Sequence, residues 1–473
     1  MPPRYPSTDR VLPISPNKGK SSVVMFLLGL ILGMVLAGVG LSRLSSNQMD
    51  KLTDLFAPPV RPYAAYVEAL EKSQVATTVA GKSWLQAGMH AFADSTHILA
   101  PHLESGYVSP SDQPVISYQI TARQGQLLSV ELELLSVVDS PQVFIELFEK
   151  IPGQSVPKLL AFADSGSYQL SYHLKEDKSY WLRIQPELLA RFSYRLQVVL
   201  GASLAFPVEG KDSKAIRSFW GDSRDGGRRK HKGIDIFAKR GTPILAAIDG
   251  TISRVKEGGL GGKVVWQRDP GNRYNLYYAH LDTQMVKRGQ IVRVGDTLGL
   301  VGNTGNARST PPHLHFGIYQ RRRGAVDPFP FVDQPNRVPP RIVASESGML
   351  EWGRITKNTQ LFTAPSSTST PVLELSSGLP VQRLAATGKW HRVQLSDGTK
   401  GFVSHTTTSS NFSPIQRLTL EQQQYVYDRV SKGIIKDSLA VGSEVAILAQ
   451  TASHHFVSTH TGMVGYLRRQ GGR

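Results

Sequence analysis

The residues best suited to chemistry are four histidines and one aspartate in the middle of the chain. Thirteen histidines occur in 473 residues, and those at 231, 280, 313 and 315 each stand in a strongly patterned context. In the run STPPHLHFGIY, His313 and His315 are separated by one residue in a segment of strand character. Side chains at i and i+2 of a strand share a face about 6–7 Å apart, so two imidazoles there can share one small site. His231 and Asp235 flank Lys-Gly-Ile. Fully extended, they would lie about 13 Å apart, too far to share an ion with bonds near ~2 Å. Gly233 can adopt backbone angles that fold the segment back, which makes a shared ion feasible. His280 ends the alternating run YNLYYAH. Each fragment alone also fits an ordinary surface histidine on a strand or turn, so the surrounding elements decide.

Those elements read as mainly β and multidomain. The 43 glycines and 29 prolines punctuate many turns. Residues 205–332 form a glycine-rich β domain that holds all five candidate residues. Upstream, 105–200 alternates with period two in VISYQITA, LLSVELELLSV, QVFIELFEK, SYWLRIQPE and FSYRLQVVL, as expected of a β-sandwich. The stretch SYWLRIQPELLARFSYRLQV also resembles the end of small sandwich domains that accompany secreted peptidases. Residues 45–99 mix Ala, Leu and charged residues without turn signals, predicting a helical stalk or a pair of packed helices.

Downstream of a proline-rich joint, KWHRVQLSDGTKGFV and SHHFVSTHTGMVGYL match at an offset of 64: Val393 with Val457, Gly398 with Gly462, Gly401 with Gly465, Phe402 with Tyr466. Two copies of one small β unit, at 345–408 and 415–470, explain this. The first copy, with Trp-x-x-Val, Asp-Gly and Gly-Phe-Val, resembles bacterial SH3-like barrels. In the second, His454 replaces Trp390.

Composition narrows the setting. A formal charge of +17 implies acidic partners such as nucleic acid, an anionic membrane surface or an anionic polymer outside the cell. With no cysteine, disulfides and Cys-based zinc sites are excluded. Residues 23–41 carry no charge, and no charged residue occurs between Lys20 and Arg43. Such a span crosses a hydrocarbon core of about 30 Å as a helix. Arg4, Arg10, Lys18 and Lys20 precede it, which keeps residues 1–20 as a cytoplasmic tail. Residues 21–42 are therefore read as a single-pass anchor in the inner membrane, with the catalytic part periplasmic or extracellular and no nucleic acid as partner.

Taken in order, His-x-Gly-x-Asp, Tyr-Ala-His-Leu, Val-x-x-Gly-Asp, Gly-Asn-Thr-Gly and His-Leu-His-Phe resemble the lysostaphin-type (M23, or LytM-domain) zinc metallopeptidases over about 90 residues. The resemblance implies an antiparallel β fold around a groove and hydrolysis of peptide bonds in bacterial peptidoglycan. It implies Zn2+ held by His231, Asp235 and His315, with His280 and His313 as catalytic histidines. A site of two His and one Asp leaves a position for water and a net charge of about +1, enough to lower the water's pKa. One imidazole can move the proton and the other can orient the water or stabilise the oxyanion, and the spacing does not apportion these roles. Some relatives place an aromatic hydroxyl beside the oxyanion; the segment before His231 has no tyrosine, so here either Tyr277 or Tyr278 serves or nothing does. Arg224, Arg228, Arg229, Lys230, Lys232, Lys239 and Arg240 give either a positive groove rim or a solvated basic face, and Arg321, Arg322 and Arg323 read the same way. The alternative function is a catalytically silent or occluded regulator that binds the wall and activates a separate amidase. Such proteins usually lack metal-site residues, whereas this chain keeps all five.

Overall fold

The computed structural model describes residues 60–469 apart from short stretches at 94–95, 110–114, 137–139, 152, 155–156, 335–337, 348–351, 410–412, 429, 431–432 and 452. The expected tail, membrane anchor and start of the helical segment lie outside the described residues. Among the described residues no helix is long and apolar enough to cross a membrane.

Two helices, Pro62–Lys72 and Val79–His90, precede the β structure. The second begins at Thr78, whose hydroxyl accepts the Gly81 N–H. It does not stand free as a stalk. Trp84 donates its indole N–H to the Pro186 carbonyl at 2.8 Å, and Arg183, paired with buried Glu146, reaches the Gly88 carbonyl at 2.9 Å. The helix is thus docked on the sandwich, because Trp84, its one buried large side chain, needs a surface to bury against.

In that sandwich, one sheet runs Ile116–Ala122, Lys178–Pro186, Val143–Glu149 and Lys158–Phe162, with His97–Ile98 parallel to the first of these. The other contains His102–Val108, Phe192–Ala202, Gln126–Ser136 and Gln169–His173. Alternate residues such as Tyr118, Ile120, Val130, Leu182, Leu196 and Val198 fill the space between. The second sheet does not end at its edge. Ser105 and Gly106 pair with Ala386 and Ala385 of Pro380–Thr387, giving an eleven-stranded sheet that runs on into the next barrel. Glu104, Tyr118, Tyr194 and Arg392 are buried together at this junction, with Arg392 bonded to Glu104 at 3.0 Å.

The C-terminal strands repeat. Trp352–Ile355, Pro371–Leu375, Trp390–Gln394 and Lys400–Ser404 recur 64 residues on as Gln416–Thr419, Ile435–Leu439, His454–Ser458 and Val464–Arg468. Each set encloses its own core, Val381, Val393 and Val403 in one, Val445, Val457 and Leu467 in the other.

Residues 216–326 form a ten-stranded antiparallel sheet whose main path is Ile216–Ser218, Ile234–Phe237, His313–Gln320, Tyr274–Gln284, Lys263–Arg268, Gly250–Lys256, Ile291–Val292, with Pro243–Leu245, Thr297–Val301 and Gly324–Val326 paired off it. The central strand His313–Gln320 buries Leu314, Phe316 and Ile318 against Ile234, Ile236, Leu276 and Tyr278. Period two then forces His313, His315, Gly317 and Tyr319 onto the opposite face. This alternation is what positions the candidate site.

Candidate metal centre

Strand register brings the five candidate residues together. Asp235 lies across from His315, and Phe237 across from His313. Ala279 flanks His315 on the other side, so His280 arrives at the same end of the central strand. His231 Nε2, His315 Nδ1 and Asp235 Oδ1 form a near-equilateral triangle: 2.9 Å between the nitrogens, 3.1 and 3.0 Å from them to the oxygen. His231 Nδ1 donates to the Phe219 carbonyl at 2.9 Å, so its Nε2 presents a lone pair to the other two atoms. When deprotonated, all three atoms would turn lone pairs towards one shared cation. A tetrahedral ion with bonds of about 2.0–2.2 Å puts its ligand atoms about 3.3–3.6 Å apart, a few tenths of an ångström wider than the triangle. The residues fit a zinc-type centre.

Asp235 is buried, which raises its pKa, yet the adjacent His231 and His315 imidazoles outweigh burial and hold the carboxyl well below the usual range. Burial in turn lowers the His315 imidazole, against the pull of Asp235. Both effects keep Asp235 and His315 deprotonated, as metal binding requires.

Gly233 acts differently from the sequence expectation. Its backbone does not adopt a left-handed φ. A Cβ there would stand 2.7 Å from His315 Cε1 and 2.6 Å from the Phe316 carbonyl, so glycine is needed for close approach. Likewise Arg224 is not a rim charge. It donates to Asp235 Oδ2 at 3.0 Å and also contacts Ser218 Oγ, leaving Oδ1 to face the triangle. Ser218 donates to Asp222 at 3.0 Å, and the Asp222 carbonyl accepts the His231 N–H at 2.8 Å. One network therefore supports two ligands. Of the other basic residues, Arg229 pairs with Asp225, Arg240 with Asp282 and Arg323 with Glu176.

His280 and His313 lie beside the triangle with ring centroids 5.1 Å apart, and His280 is 5.9 Å from His315. His280 Nδ1 donates to the Thr304 carbonyl and His313 Nδ1 to the Pro311 carbonyl, each at 2.8 Å. Both therefore offer Nε2 to the site in one fixed tautomer. Burial, then the neighbouring His313 and His315, push the His280 imidazole down to about 4. His280 also has φ +64, a strained conformation for a non-glycine residue. It is held by the Gly261 carbonyl, which accepts its N–H at 2.9 Å, and by Thr304. The Thr304 hydroxyl accepts the Lys263 N–H at 3.0 Å and donates to the Leu281 carbonyl at 2.9 Å. Phe237 stacks on His313 at 5.0 Å. Of the two tyrosines, Tyr278 is fully buried on the core face and bonded to Gln267 at 2.7 Å. Tyr277 shares the face of His315, 5.8 Å away, and burial raises its phenol to about 12.

Sequence comparison agrees with this geometry. Residues 229–328 match the model of peptidase family M23, and residues 356–410 that of the bacterial SH3 domain. An L-Ala--D-Glu endopeptidase of Bacillus subtilis is 36% identical over 185 residues, 34% of this chain and 56% of that protein. The peptidoglycan DD-endopeptidase ShyC of Vibrio cholerae is 41% identical over 100 residues, covering 20% of this chain and 22% of that protein. Among solved structures, the catalytic domain of lysostaphin from Staphylococcus simulans is 31% identical, covering 25% of this chain and 90% of that one, with a TM-score of 0.23. The chain thus spans about half the length of the first of these relatives and about a fifth of the second. Its residues 229–328 are a domain of peptidase family M23, followed by a bacterial SH3 domain.

Proposed function

We propose that this protein is a membrane-anchored, zinc-dependent peptidoglycan endopeptidase that hydrolyses peptide cross-links of the bacterial wall. The observation that carries the reading is the convergence of His231 Nε2, Asp235 Oδ1 and His315 Nδ1 beside two imidazoles whose tautomers are fixed by backbone carbonyls. Zinc bound to these three residues would supply the Lewis acidity that activates water and polarises the scissile carbonyl. The remaining work falls to the chain. The Nε2 of His313 accepts the water's proton and returns it to the leaving amine. His280, neutral by virtue of its low pKa, is placed to orient the water or to donate towards the developing oxyanion. Tyr277 keeps its proton and is the candidate for a further donor.

Wall binding suits the SH3 domain and its repeat, and the net charge of +17 suits an anionic polymer. Full activity and wall substrate are also what the named relatives suggest by analogy. On this reading, residues 21–42 hold the protein in the inner membrane with the peptidase domain outside the cytoplasm. Detergent-solubilised full chain, stripped with a chelator, should not cleave isolated cross-linked muropeptides and should recover with one equivalent of zinc. Cleavage undiminished after complete metal removal would sink the proposal.

A further inference from the structure

The sheet face that carries the triangle continues past it as an aromatic floor. Gly317 pairs with Tyr277, and Tyr277 with Trp266. Trp266 packs against Tyr277 at 4.5 Å and against Tyr319 at 5.1 Å. All three rings are half-buried, whereas Leu314, Phe316 and Tyr278 seal the opposite face of the same strands. A buried Trp or Tyr normally finds a partner for its N–H or O–H. Here the Trp266 indole N–H and the hydroxyls of Tyr277 and Tyr319 have no hydrogen-bond partner among the described residues and are not shut off from solvent. Gly317 keeps the floor low, since a Cβ there would meet Tyr319 at 3.3 Å and Tyr277 at 3.6 Å.

Charge borders this floor on the side away from the metal ligands. Arg254 pairs across from Trp266, and Arg268 follows Trp266 by two residues on the same face. Both are exposed, and neither has an acidic partner among the described residues. Rings with free polar edges suit a ligand that offers a C–H face and hydroxyls together, and free guanidinium groups suit a carboxylate. A pyranose joined to an acidic peptide has all three features.

We propose that Trp266, Tyr277 and Tyr319, flanked by Arg254 and Arg268, form a subsite for a sugar ring of the glycan to which the cleaved peptide is attached. This rests on the endopeptidase reading and adds a requirement to it: the enzyme prefers substrates that still carry their saccharide. The test compares the full chain in detergent on one cross-linked muropeptide with its disaccharide and on the same peptide after the sugar is removed. Wild type should favour the sugar-bearing form. Trp266→Ala and Tyr319→Ala should each lower kcat/KM on it about tenfold, with the sugar-free peptide and zinc content unchanged. Equal loss on both substrates, or no loss on either, would overturn the subsite. If wild type cleaves neither, the endopeptidase reading fails on its own. Calorimetric binding to His313→Ala then decides the subsite: a preference for the sugar-bearing form that Trp266→Ala abolishes supports it, and equal affinity overturns it.

Discussion

At the scale of single residues, the proposed function asks His231, Asp235 and His315 to hold an ion and His280 and His313 to move protons. His231→Ala and His315→Ala should lose zinc, measured by metal content. His280→Ala and His313→Ala should keep it while cleavage falls about 10²–10⁴-fold, the usual worth of general acid–base groups. Arg224 supports Asp235 from behind, so Arg224→Ala should weaken zinc roughly 10–100-fold in competition with a chromophoric chelator. An unchanged affinity would mean that Asp235 needs no such support. The proximity of the five candidate residues was legible in the sequence through motif order and strand alternation. Arg224 was not, because its contact with Asp235 depends on how the 217–231 segment turns over the sheet. Thr304 and Pro311 were invisible for a similar reason: their carbonyls, not their side chains, hold the imidazoles. Gly233 was recognised as special, but the cause is the His315 ring rather than a turn.

At the scale of elements, period two revealed the sandwich and peptidase strands, while nothing local marked which edges would join. The sheet that continues from His102–Val108 into Pro380–Thr387 is accompanied by the buried Glu104–Arg392 ion pair, 288 residues apart in sequence. Burial raises the Glu104 carboxyl, but Arg392 and His102 outweigh it and hold it far below its usual range. Glu104→Ala would leave Arg392 buried and uncompensated, and should cost about 3–5 kcal/mol in denaturant unfolding. A double change of Glu104 and Arg392 to Met should recover much of that. Nearby, burial pushes the His391 imidazole down to about 4, although its bond to the Ser345 carbonyl opposes this. Its folded pKa lies below the unfolded value near ~6.5, so its contribution is complete above that pH. It is lost as pH falls towards 4, on the order of 3 kcal/mol. His391→Gln should flatten this slope in stability measured from pH 7 to 4. The helix Val79–His90 shows the converse limit of sequence reading, since its docking depends on Trp84 meeting the far side of the sandwich.

At the scale of the whole molecule, the first SH3 domain serves as a structural partner as well as a module. Trp390 packs on the sandwich core and Phe402 lies within it, while Trp352 packs on Phe456 of the second repeat at 4.6 Å. The sandwich also meets the peptidase domain through Arg123 and Asp327 at 2.8 Å. Removing residues 345–470 should therefore lower the unfolding temperature of the sandwich, whereas a freely tethered module would leave it unchanged. The 64-residue repeat was legible because its glycines and core valines keep their spacing; the packing of Trp390 on the sandwich core was not, because the strands it meets come from the other end of the chain. The central claim, a zinc endopeptidase acting on the wall, is tested most directly on purified sacculi. Full chain in detergent with quantified zinc would be incubated beside His231→Ala and His313→Ala, and released muropeptides read by mass spectrometry. The account predicts new peptide-bond ends from wild type that disappear in both variants. Release that persists in both variants, or none from zinc-loaded wild type that binds the sacculi, would contradict it.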